Sequence, residues 1–70
     1  MNNELIGKNA GIVWQTLNCR KCTWEELVKS SALKPLELAA AIGWLARENK
    51  VNITLQDGIV TFDVFHECYY

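Results

Sequence analysis

Apolar positions along the chain fall into three helix-spaced runs and one alternating run. Ile6, Ala10, Val13 and Leu17 occupy one face of a 3.6-residue repeat, and Leu5 and Ile12 widen it. This spacing predicts a helix over 4–17, capped by Asn2 or Asn3, with Glu4 in the first turn where the helix dipole favours an acid. Thr23-Trp24-Glu25-Glu26 reads as a capping box: the Thr23 hydroxyl accepts from the Glu26 amide, and the Glu26 carboxylate accepts from the Thr23 amide. A short helix over 24–30 follows, burying Leu27 and Val28, and Leu33 in the next turn plugs the core. Pro35 suits a first helical position. Leu38, Ala41, Ile42 and Leu45 then mark the inner face of a helix over 35–49, with Asn49 a candidate left-handed residue at its end.

The last run alternates. Asp57-Gly58 favours a two-residue type I′ turn, because both central positions need positive φ. That turn sets the register of a hairpin over 51–56 and 59–65. Leu55/Val60, Ile53/Phe62 and Val51/Val64 share one side. Gln56/Ile59, Thr54/Thr61 and Asn52/Asp63 share the other. The apolar side is expected to close the core. Three helices followed by a two-stranded ribbon, with a short turn between the second and third helices, make an α+β winged helix-turn-helix. The connector 18–22 is a candidate short third strand beside the wing. The whole chain, 1–70, reads as a single domain.

Composition agrees with a globular domain: 50% of the 70 residues are hydrophobic and 21% charged. No apolar run approaches the ~20 residues of a membrane span. Met1-Asn2-Asn3-Glu4 lacks the basic start of a secretory signal. A cytoplasmic location without a membrane is therefore expected, with the three cysteines reduced. Net charge is −1, whereas nucleic-acid-binding domains often carry a strongly basic surface.

Ile6 to Leu17, Thr23-Trp24-Glu25-Glu26-Leu27 and Ala41-Ile42-Gly43-Trp44-Leu45-Ala46-Arg47-Glu48-Asn49-Lys50 together resemble a family of small, stand-alone bacterial winged helix-turn-helix proteins. The resemblance leaves only His66 to Tyr70 unmatched. It implies the fold; members are described as DNA-binding domains, while the family as a whole has no assigned function. The leading expectation is a DNA-binding module with a role in transcription regulation.

In such a fold the third helix enters the major groove. Its outward positions are expected to be Lys34, Glu37, Ala40, Gly43 or Trp44, and Arg47; only Arg47 is a good reader of guanine. Lys29, Lys34, Arg20 and Lys21 are candidate phosphate contacts, although scattered cations are also what an ordinary solvated surface carries. The wing tip, Gln56-Asp57-Gly58, is acidic. The rival reading is a protein-interaction or homodimerisation module that keeps the winged-helix shape without binding DNA.

Gly7 and Gly11 lie on the Trp14 face of the first helix, where each interior glycine costs about 1 kcal/mol relative to alanine. Two readings stay open: a homodimer seam on Gly7, Gly11 and Trp14, or cover from the third helix or the C-terminal tail of the same chain. A homodimer is the expected state. Cys19, Cys22, His66 and Cys68 would match a three-cysteine, one-histidine zinc site, but the H-x-C spacing is unusual and free thiols are the plainer reading. No metal or other cofactor is expected. A thiolate at Cys22, just before a helix, is a further redox option. No serine or carboxylate is placed to make a triad with His66, so an enzyme is not expected.

Overall fold

The computed structural model describes residues 1–65. Helix α1 (Asn3–Cys19) starts at Asn2, whose side-chain oxygen accepts from the Leu5 amide at 2.8 Å. It runs two residues beyond the expected end, so Cys19 belongs to its last turn rather than to the connector. The candidate third strand forms, shifted to β1 (Cys22–Thr23). Thr23 ends this strand and caps α2 (Trp24–Ser31). The capping box closes as expected, with Thr23 N–H donating to Glu26 Oε1 at 2.8 Å and Glu26 N–H to Thr23 Oγ1 at 3.3 Å.

Ala32, at φ 60°, turns the chain out of α2. Helix α3 (Pro35–Arg47) stops two residues short of expectation. Asn49 takes a left-handed φ of 57°. This lets Lys50 N–H donate to Leu45 O at 2.9 Å and Asn49 N–H to Ala46 O at 3.1 Å, the two bonds of a Schellman ending. Strands β2 (Val51–Gln56) and β3 (Ile59–Val64) pair in the register set by Asp57-Gly58, from Gln56 opposite Ile59 to Val51 opposite Val64. Asp57 (φ 55°) and Gly58 (φ 78°) both have positive φ, as a type I′ turn requires. Strand β1 joins the far side of β3, giving an antiparallel sheet of order β1-β3-β2.

The core lies where the helices meet the base of the sheet. It contains Ala10, Val13 and Leu17 from α1, Cys22, Leu27, then Leu38, Ala41, Ile42 and Leu45 from α3, and Val51, Phe62 and Val64. Trp24, Val28, Leu33 and Trp44 pack against it half-buried.

Two expectations about faces change. Leu5 and Ile12 stay exposed, while Asn9 is buried. The apolar side of the hairpin closes the core only at its base: Ile53 is 49% exposed, Leu55 70% and Val60 37%. Alternation assigns a residue to a face, but the helices end before the wing does, so the distal half overhangs.

Candidate nucleic-acid interface

Four-residue turns of α3 set which side chains leave the core. With Leu38, Ala41, Ile42 and Leu45 inward, the outer strip comprises Leu36, Ala39, Gly43 and Arg47, all exposed, with Ala40 half-buried beside it. Trp44, an expected outward candidate, instead lies half-buried against the core, its ring near Gly7 of α1. A Cβ added at Gly7 would meet the Trp44 ring at 3.8 Å. Leu36, at 72% exposure, takes a place on the strip that the sequence reading overlooked. Its apolarity gave no hint of outward orientation. The strip is smooth, since alanine and glycine offer shape without hydrogen bonds.

Charge sits at its ends. Lys34 stands at the N-cap of α3 and Arg47 at its last residue, about 20 Å apart by helical rise. Lys29 is exposed in the last turn of α2, next to the helix-turn-helix corner, and Lys21 is exposed in the connector before β1. Arg20 is engaged: its guanidinium forms an ion pair with the Glu26 carboxylate. That carboxylate is held below the usual glutamate range, first by the Thr23 backbone N–H and then by Arg20, against an opposing desolvation effect. Glu37 occupies the start of α3, where its Oε1 accepts from the Lys34 amide at 3.1 Å. A phosphate at this helix end would therefore meet a carboxylate beside the favourable dipole.

The dimer candidates separate. Gly7 lies under Trp44 of its own chain, but a Cβ at Gly11 would meet nothing within 4 Å among the described residues. Gly11 and Trp14 line an open groove of about 800 Å³ between α1 and the end of α3, shared with Trp44 and Phe65.

The cysteines separate too. Cys19 is exposed, whereas Cys22 is buried, with its thiol 3.5 Å from the Arg20 carbonyl to which it donates. Burial pushes the Cys22 thiol pKa up, outweighing the lowering effect of Arg20. A reactive thiolate before α2 is thus disfavoured, because desolvation outweighs the nearby Arg20 charge. His66 and Cys68, the other half of the zinc set, lie outside the described residues. Among the described residues no three His, Cys, Asp or Glu side chains gather to hold a metal ion, and no helix is long and apolar enough to cross a membrane.

Residues 1–63 match the family model described as "Winged helix-turn-helix domain (DUF2582)". Protein BT2368 from Bacteroides thetaiotaomicron, solved by NMR, is 38% identical, with a TM-score of 0.84 over 91% of this chain and 79% of that one. BpsR of Bordetella bronchiseptica, described for the regulation of its DNA binding by 6-hydroxynicotinic acid, superposes with a TM-score of 0.75 at 12% identity, over 89% of this chain and 53% of its own. The adhesin competence repressor AdcR of Streptococcus pyogenes gives 0.68 at 16% identity, over 93% and 47%. These last two likenesses concern the fold. No curated protein matches the chain in sequence.

Proposed function

This chain belongs to the DUF2582 family of winged helix-turn-helix domains, and on that premise we infer that it is a DNA-binding module serving transcription regulation. The observation that carries the reading is the unobstructed outer strip of α3, whose small residues Ala39, Ala40 and Gly43 permit close approach to a major-groove floor. Arg47 reads a guanine edge from the C-terminal end of the strip. Lys34, Lys29 and Lys21 contact flanking phosphates, while Arg20 contributes less because Glu26 already holds it. The fold shared with BpsR and AdcR supports the reading, the former being a protein whose DNA binding is regulated and the latter a repressor.

Few cations make this binding weak and set its salt dependence. Four phosphate contacts predict that affinity falls on the order of 100-fold between ~50 and ~200 mM salt. A titration on mixed-sequence duplex DNA measures this slope. Arg47→Ala should cost about 1–3 kcal/mol on a preferred site. Absence of binding at ~50 mM salt removes the reading.

A second reading, an interaction module that pairs copies of the chain, is favoured by two surfaces. One is the groove beside Gly11 and Trp14, where nothing among the described residues occupies the space a side chain would take at Gly11. The other is the overhanging apolar half of the wing, with an acidic residue, Asp57, at the tip where a minor-groove wing benefits from cations.

A further inference from the structure

The overhang ends in an open strand edge. In the sheet order β1-β3-β2, strand β2 has no neighbour on its far side among the described residues. Natural sheets blunt such edges with lysines, prolines or bulges. Val51-Asn52-Ile53-Thr54-Leu55-Gln56 carries none of these: no residue is charged, none is proline, and the pairing with β3 is unbroken. In a two-residue hairpin the pair flanking the turn is hydrogen-bonded. Gln56, Thr54 and Asn52 therefore bond β3, and Val51, Ile53 and Leu55 present their N–H and C=O groups at the open edge. These same three residues carry the apolar face, half of it overhanging.

We propose that β2 pairs antiparallel with β2 of a second copy of this chain, centred on Ile53, to make one continuous six-stranded sheet. This deepens the interaction reading and is independent of DNA binding by α3. The strand is self-complementary in this register. Ile53 meets Ile53, Val51 meets Leu55, and on the opposite face Asn52 meets Thr54. A register shifted by one residue would set Ile53 against Thr54 and mix the faces. Three edge-facing pairs give about six new backbone hydrogen bonds.

Charge fixes both the direction and the partner. Lys50 immediately precedes β2 and Asp57 immediately follows it. Antiparallel pairing sets Lys50 of each copy opposite Gln56, one residue from Asp57 of the other, whereas parallel pairing would set like charges together. A two-fold pair satisfies both contacts at once and closes, so it stops at two copies. The groove at Gly11 is a separate surface. Using both surfaces in one assembly would build an open chain instead of a closed pair.

Sedimentation velocity from ~10 to ~500 µM tests the pairing, with Ile53→Lys and Ile53→Glu made as a matched set. Circular dichroism checks that each variant keeps the native fold. The wild type should sediment as a dimer at the upper concentrations. Each variant alone should have its dissociation constant raised at least about tenfold, because like charges face each other across the two-fold. Mixed one to one, the variants should regain a heterodimer, an outcome that mere loss of folding cannot produce. Hydrogen exchange should show protection at the Ile53 and Leu55 amides that grows with concentration.

A wild type that remains monomeric at ~500 µM overturns the proposal. So does a dimer indifferent to Ile53→Lys but lost in Gly11→Trp, which would place the seam on α1. Protection of the Ile53 amide that does not vary with concentration would mean that residues 66–70 of the same chain cover the edge, and overturns it as well. DNA binding that persists or fails in Ile53→Lys bears on α3 and leaves this result unchanged.

Discussion

At the scale of single residues, local chemistry was the most legible part of the sequence. Thr23 and Glu26 form their reciprocal bonds because both partners are three residues apart at a helix start. The Glu26 carboxylate is favoured in its charged form, so its folded pKa is lowered. Its contribution to stability is therefore present above the ordinary glutamate range and is lost as pH falls below that range through the folded value. Chemical denaturation from pH 7 to 3 should show this loss in the wild type and a flatter profile over the same range in Glu26→Gln. Ala32 was not legible: alanine gives no sign of a left-handed turn, yet it adopts φ 60°. An L-residue there costs roughly 1–2 kcal/mol, partly offset in glycine by greater freedom when unfolded. Ala32→Gly should stabilise the domain by about 0.5–1 kcal/mol, read as a higher denaturation midpoint; a loss would mean that the alanine methyl packs usefully. Asn9 was missed for a related reason. It lies on the buried side of α1, and its Nδ2 has no hydrogen-bond partner among the described residues, an arrangement that periodicity of apolar residues cannot reveal.

At the scale of elements, periodicity identified the inner faces of α3 and of the wing base correctly. It could not say how far each face stays covered. Val51, Phe62 and Val64 are buried while Ile53, Leu55 and Val60 on the same side are not, because coverage depends on where the helices end. Element length also decides what α3 can do. Gly43 lies mid-helix on the outer strip, and a Cβ there would meet nothing within 4 Å among the described residues. Alanine at that position should therefore stabilise the helix by roughly 0.8–1 kcal/mol. If α3 approaches DNA through this glycine, Gly43→Leu should at the same time weaken binding while the fold persists. Thermal melts and a DNA titration on the same samples separate the two effects, and unchanged affinity in Gly43→Leu would take Gly43 out of the contact.

At the scale of the whole molecule, the fold follows from agreement among turn chemistry, capping and apolar spacing, each naming the same boundaries to within about two residues. The functional surface follows less directly. Seven cations are distributed over an exposed surface with net charge −1, so no single patch announces a partner, and the ion pair that removes Arg20 from the free set depends on a contact six residues away. Candidate surfaces emerge only when the helices and the wing are seen together, as the smooth strip of α3 and the uncovered edge of β2.

The two described cysteines add a consequence of another kind. Cys19 meets solvent, while Cys22 is 1% exposed in the centre of the core. A thiol reagent reaches Cys19 at once but reaches Cys22 only when the core opens. With Cys68 replaced by serine, the molecule carries its own stopwatch: the slow phase of labelling counts how often the native state comes apart, and the fast phase beside it supplies the zero of the clock.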